Sequence, residues 1–137
     1  MTTEPEFSGI SHLDLSVADV EASAAWYEQV LGLRRVRRVE FPERIMIVLV
    51  HSGTGLVIGL NEHQGHPGEL FDERRSGLDH VGFTVESRDE LEVWQGRLAA
   101  LAVVHSPVTD AERGAALVFR DPDNIQLEFW WSKPRTQ

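Results

Sequence analysis

The chain has no cysteine. Disulfides, thiolate metal sites and a cysteine nucleophile are therefore excluded. It has no apolar run near the roughly 20 residues that span a bilayer, so no membrane partner is expected. It also lacks a basic surplus: the formal net charge is -9 at pH 7. Phosphate binding needs clustered Lys and Arg, so no nucleic-acid partner is expected. The one basic cluster, Arg34-Arg35-Val36-Arg37-Arg38, sits among acidic neighbours. It reads as a solvated face, with contact to an anionic ligand as the smaller alternative. Met1 to Glu6 is polar and acidic and lacks the basic and apolar regions of a signal peptide, which makes a soluble cytoplasmic protein the expectation. Tyrosine occurs once, at Tyr27.

What is present fits a folded domain. With 137 residues the chain can bury a sizeable core as one domain. Its 42% hydrophobic content, spread throughout, argues against disorder. The most informative feature is a repeat. Ile10-Ser11-His12-Leu13-Asp14-Leu15-Ser16-Val17 recurs as Leu78-Asp79-His80-Val81-Gly82-Phe83-Thr84-Val85, 68 residues later. Each His has a Trp 14 residues downstream, Trp26 and Trp94. Two copies of a His-bearing unit suggest two half-sites.

Apolar alternation predicts a first strand over Ile10 to Val17. Asp19 then caps a helix through Ala22, Ala25, Trp26, Gln29 and Val30, which Gly32 stops. Strands are predicted over Val36 to Phe41, Arg44 to His51 and Leu56 to Asn61, the last two joined by the turn Ser52-Gly53-Thr54-Gly55. The second half repeats this order. A strand spans Leu78 to Val85, and Ser87 or Asp89 caps a helix through Leu91, Trp94, Leu98 and Leu101. A strand near Val103-Val104-His105 follows. Ala115 to Arg120 and Ile125 to Trp130 form the final hairpin around Asp121-Pro122-Asp123-Asn124. The hairpins match with an offset of 69. The expected fold class is α+β: two tandem βαβββ modules, one about 7–62 and the other about 77–132, joined by a linker over 63–76 within a single domain.

Strand side chains alternate between faces. With Leu13, Leu15 and Val17 towards the helix, His12 and Asp14 point the other way. With Val81, Phe83 and Val85 inward, His80, Gly82 and Thr84 point away. Ile125, Leu127 and Phe129 leave Gln126, Glu128 and Trp130 on that opposite face; Leu56, Ile58 and Leu60 leave Val57, Gly59 and Asn61. His12, His80 and Glu128 thus share the face away from the helices. Two His and one carboxylate form a facial ligand set for one divalent ion, such as Fe, Zn, Ni, Mn or Co, with positions open to substrate. Gly59 stands where the first half would place the counterpart of Glu128.

With these residues placed, the chain resembles the vicinal oxygen chelate superfamily, which includes glyoxalase I, extradiol dioxygenases, fosfomycin-resistance transferases and bleomycin-binding proteins. The resemblance spans about residues 7 to 132. It rests on Ile10-Ser11-His12, on Ala25-Trp26-Tyr27 leading to Val30-Leu31-Gly32-Leu33, on Leu78-Asp79-His80-Val81-Gly82-Phe83, and on Arg120-Asp121-Pro122-Asp123-Asn124-Ile125-Gln126-Leu127-Glu128. It implies paired modules whose mixed sheets curve around a concave cavity, with the metal held by His12, His80 and Glu128. It also implies a small-molecule substrate or drug as ligand and a homodimer as the assembly. Glyoxalase I-like members usually carry a fourth, carboxylate ligand at the position of Gly59. Glu62 is a poor substitute, three residues on and on the opposite face. The dioxygenase and fosfomycin-resistance branches use three ligands, which this chain retains, and the reaction type stays open among dioxygenase-like, lyase/isomerase-like and transferase chemistry. The competing reading is a metal-free protein that sequesters a drug or natural product in the same cavity.

Asp14 and His105 are the candidate catalytic groups. Asp14 shares that face with His12 and reads first as a solvated carboxylate at a strand end, with a base or a group orienting a ligand His as the alternative. His105 corresponds to the pocket His of dioxygenases, whose pocket Tyr has only Tyr27 as a weak counterpart. Val57, Gly59, Asn61, Gly82, Gln126 and Trp130 are expected to line the substrate pocket. Trp26 and Trp94 read as core, and His51 as exposed. The loop pair His63 and His66 reads as surface rather than as a metal site.

Overall fold

The computed structural model describes residues 3–135. Two compact units divide the chain, one ending at His66 and the other beginning at Pro67. Each is a four-stranded sheet carrying one helix, and together they give the α+β class that the repeat predicts.

Unit one contains β1 (Leu13–Ser16), α1 (Val20–Leu31), β2 (Arg34–Glu40), β3 (Arg44–Val50) and β4 (Val57–His63), in sheet order β1-β4-β3-β2. β1 runs parallel to β4 and the other pairs are antiparallel. The Asp19 side chain accepts from the Ala22 N–H at the start of α1. Glu62 adds a second anchor by accepting from the N–H of Val20, the first helical residue, at 2.9 Å. Both satisfy amides that a helix start leaves unpaired. Gly32 closes the helix in the left-handed conformation at φ 69°, as the sequence implies.

The face of α1 differs from expectation. Its buried residues are Val20, Ser23, Ala24, Tyr27 and Val30, whereas Ala22, Ala25 and Gln29 are exposed and Trp26 is half-buried. The packing stripe begins at Val20, ahead of the periodic residues chosen from the sequence. Tyr27 is fully buried among Val17, Ile47, Leu49 and the rest of the apolar core and is no pocket residue.

Unit two contains β5 (Val81–Thr84), α2 (Arg88–Ala100), β6 (Thr109–Ala111), β7 (Gly114–Arg120) and β8 (Gln126–Ser132), in order β5-β8-β7-β6. Ser87, not Asp89, caps α2 by accepting from the Glu90 N–H. Leu91 and Leu98 are buried. Trp94 stacks on Phe129 at 4.2 Å between centroids, and Phe129 stacks in turn on Phe119 at 4.9 Å. The strand expected at Val103 to His105 is only an isolated bridge from His105 to Phe119, and the edge strand forms later, at Thr109. Pro107 lies between them and has no N–H to offer a ladder.

The segment expected as a linker divides between the units. Gln64 donates to Glu43 O in unit one. Phe71 N–H donates to Asp123 O, Asn124 Nδ2 returns a bond to Phe71 O, and Arg120 holds Glu73 through both carboxylate oxygens at 2.9 Å. Its charges and glycines read as a connector, but Glu73 is paired with Arg120 at the end of β7, and Asp72 with Arg74 within the segment. No helix among the described residues is long and apolar enough to cross a membrane.

Candidate metal centre and its half-sites

β5 and β8 position the second half-site. Their parallel register sets Gly82 beside Glu128 and Thr84 beside Trp130. β5 is shorter than the alternation suggests, so His80 lies one residue before it, and His12 likewise precedes β1. The His80 ring is oriented by its neighbour: Nδ1 lies 2.7 Å from Asp79 Oδ1. A carboxylate only accepts, so Nδ1 carries the hydrogen, and in the neutral ring the lone pair is on Nε2. That Nε2 stands 3.9 Å from Glu128 Oε1. Neighbouring donors about 2.0–2.2 Å from one ion lie about 3–3.5 Å apart, so the pair stands about half an ångström wider than a shared divalent cation would draw it.

Asp79 is itself held. Gln126 Nε2 donates to its backbone oxygen at 3.1 Å and to its Oδ1 at 3.2 Å. Arg120 Nη2 donates to Gln126 Oε1 at 3.4 Å and to Glu73. A polar chain thus runs from Glu73 through Arg120, Gln126 and Asp79 to His80. The paired Arg120 guanidinium holds the Glu73 carboxyl down to about 2. Sequence reasoning placed Gln126 on this face as a pocket residue; here it braces Asp79. Asp79 was missed altogether, although an acidic residue directly before a ligand His was the available signal.

The first half-site is built differently. His12 Nδ1 meets Ser11 Oγ at 2.9 Å. Asp14 pairs with Gly59 in the β1–β4 register, the position matching Gly82 and Glu128. Its Oδ2 accepts from Asn61 Nδ2 at 3.1 Å, and Asn61 Oδ1 accepts from Arg44 Nη1 at 2.7 Å. Asn61 is buried, and Arg44 lies over the Phe41 ring at 4.2 Å.

Val57 lies at the start of β4, opposite Val50, and Trp130 is half-buried with its indole N–H donating to Ser132 Oγ. His105 is not on the Glu128 face. It pairs with Phe119, and directly opposed antiparallel residues share a face, so it lies on the helix side of the sheet. Its Nδ1 donates to the Ser106 carbonyl at 2.7 Å. Within the basic cluster, Arg35 pairs with Glu21 and Glu28, and Arg38 with Glu21 and Glu40. Among the described residues no three His, Asp or Glu side chains gather into a metal-holding group.

The profile of the Glyoxalase/Bleomycin resistance protein/Dioxygenase superfamily matches residues 9–129. The chain belongs to this superfamily. Within it, FosB of Lysinibacillus sphaericus (strain C3-41), a metallothiol transferase, is 28% identical over 122 residues, covering 88% of this chain and 79% of FosB. MhqA of Bacillus subtilis (strain 168), provisionally named a ring-cleaving dioxygenase, is 26% identical over 128 residues. That match covers 91% of this chain but only 40% of MhqA, so the chain spans well under half of that relative. A crystal structure of a glyoxylase/bleomycin resistance protein/dioxygenase domain from Frankia sp. EAN1pec matches at TM-score 0.87 and 39% identity, covering 93% of this chain and 100% of that one. FosX of Listeria monocytogenes, crystallised as a variant with Mn(II) and 1S,2S-dihydroxypropylphosphonic acid, matches at TM-score 0.74 and 22% identity over 93% of this chain and 95% of its own. At that identity the likeness is one of fold.

Proposed function

We propose that the chain is a metal-dependent small-molecule enzyme in which His12, His80 and Glu128 hold one divalent ion. The observation that carries this is the second half-site: Asp79 orients the His80 ring, and Nε2 stands 3.9 Å from Glu128 Oε1, about half an ångström wider than a shared ion would draw them. Fe, Zn, Ni, Mn and Co all suit two imidazoles and a carboxylate. When bound, the ion supplies Lewis acidity towards an oxygen-rich substrate at its open positions. The protein's own part is to hold the ligands. Asp79 and Gln126 fix the His80 ring, and Gly82 leaves space beside Glu128, its nearest approach being Oε1 at 3.6 Å from an added Cβ. Gly59, Asn61, Trp130 and Val57 line the substrate side in this reading.

Dioxygenase-like and lyase- or isomerase-like reactions both use such a centre. MhqA supports the first, and FosB adds group transfer to the family's range. The superfamily also makes a homodimer the expected assembly, which analytical ultracentrifugation tests. Elemental analysis of protein purified without a His-tag tests the metal. About one equivalent of a divalent ion per chain, lost in His80→Ala, is the expected result. No metal in wild type, with small-molecule binding unchanged in His80→Ala, would instead fit the drug- or product-binding reading.

A further inference from the structure

The arginine run of β2 divides between the two faces of unit one. Arg35 opposes Leu49 and Arg38 opposes Ile47, both buried on the side of α1. Their guanidiniums meet Glu21, Glu28 and Glu40. Arg34 opposes Val50 and Arg37 opposes Val48. Directly opposed antiparallel residues share a face, so this second pair points away from α1. Residues three apart in a regular strand take opposite faces. The ladder shifts between Arg35 and Arg37, and that bulge turns Arg37 to the side of Arg34.

Arg34 and Arg37 are exposed, and among the described residues neither side chain has a carboxylate partner. Carboxylates are not scarce, since the chain has 22 acidic and 13 basic side chains. Among the described residues, the strands of unit one put one carboxylate on this face, Asp14, at the opposite edge of the sheet. One row across the sheet runs Asp14, Gly59, Val48, Arg37. At about 4.8 Å per strand, the Cα atoms at its ends stand about 14 Å apart. Gly59 carries no side chain, and the Asp14 carboxyl fills that space: a Cβ built there would stand 2.7 Å from Asp14 Cγ. Val48, Val50 and Val57 lie between the edges and are half-buried. They make an apolar floor with a carboxylate at one side and two guanidiniums at the other.

We infer that Arg34 and Arg37 form an oxyanion subsite, which takes the carboxylate or phosphate group of a small molecule whose apolar body lies on Val48, Val50 and Val57. The two arginines oppose residues two apart on β3, so their Cα atoms stand about 7 Å apart. Guanidiniums at that spacing reach one oxyanion with paired N–H donors. This deepens the reading of the face as the substrate side and rests on it only for placing the oxygen-rich end towards His12. The anionic end is held by unit one alone.

The test titrates the tag-free full chain by calorimetry with phenyl phosphate, benzoate, inorganic phosphate and phenol. Phenyl phosphate or benzoate should bind, and the tighter of the two names the oxyanion. Inorganic phosphate and phenol each lack one end and should bind more weakly by about tenfold or more. Arg34→Gln with Arg37→Gln should weaken the tighter probe about 10- to 100-fold, the usual loss with hydrogen bonds from a charged group. Arg35→Gln with Arg38→Gln removes the same charge from the other face of β2 and should leave affinity near wild type. Equal losses in the two double variants overturn the inference, since net charge alone would then explain binding. Inorganic phosphate bound as tightly as the tighter probe overturns it too, as does no binding of either aromatic oxyanion. If Arg35→Gln with Arg38→Gln does not fold, Arg74→Gln with Arg75→Gln in unit two is the charge-matched control. The titrations are repeated after the chain is stripped on a chelating resin. Affinity that survives stripping belongs to the arginines. Affinity lost with a metal overturns the inference and leaves the metal reading standing. Arginine-dependent binding in a chain that holds no metal before stripping does the reverse.

Discussion

The two units put the same residue in the same backbone position and then treat it differently. His12 leans on a hydroxyl, Ser11 Oγ, whereas His80 leans on a carboxylate that Gln126 holds in turn. A hydroxyl donates or accepts, so it leaves His12 free to adopt either tautomer. A carboxylate only accepts, so it commits His80 to presenting Nε2. The turns differ in the same sense. Asp121 is buried, and its Oδ1 accepts from the Asp123 and Ile125 N–H groups. Ser52, at the matching position, is exposed, and its turn is held instead by His51 Nδ1 and Thr54 Oγ1 at 2.8 Å. One repeated layout thus carries a half whose His meets a carboxylate and a half whose His meets a hydroxyl.

The comparison can be broken most severely at the ligands. Glu128→Ala should abolish tight divalent-ion binding in calorimetry; retention would remove unit two from the centre. The next effect sharpens the contrast between the two His. Asp79→Ala should weaken ion binding about 10- to 100-fold, and Ser11→Ala by less than that. Equal losses would mean that the carboxylate brace has no special role. The turns come third. Asp121→Ala leaves two buried N–H groups without their acceptor and should cost about 1–3 kcal/mol in urea unfolding, with Ser52→Ala near zero. The smallest effect concerns Glu73. Its carboxyl is held from 4.5 down to about 2 by Arg120, so it contributes stability that is fully present above 4.5 and lost as pH falls through 2. The melting temperature of wild type should therefore slightly exceed that of Glu73→Gln at neutral pH. The gap should close between pH 4.5 and 2.

Most of the architecture was legible because it rests on local signals. Strand alternation, the Asp19 and Ser87 caps and the Gly32 stop are written into a few adjacent residues, and the repeat tests each element against its copy. What was misread depends on packing or on distant partners. The stripe of α1 is set by what Val20 and Tyr27 meet on β3 and β4, which periodicity alone cannot rank. The edge strand moved from His105 to Thr109 because a Pro interrupts the path. Glu62 looked like a poor ligand substitute and turned out to anchor the first N–H of α1, a contact 42 residues apart. On the site, alternation correctly set Asp14 and Glu128 on the face away from the helices. It could not show that Asp14 lies over Gly59, or that Asp79 rather than Asp14 is the carboxylate that meets a His ring.

The seat of Asp14 over Gly59 also constrains how this chain can change over generations. Gly59→Glu arising alone would force Asp14 off Asn61, bringing two carboxylates into one space. Asp14→Gly arising alone would leave that half without any. A larger side chain at 59 therefore calls for a change at 14 in the same molecule.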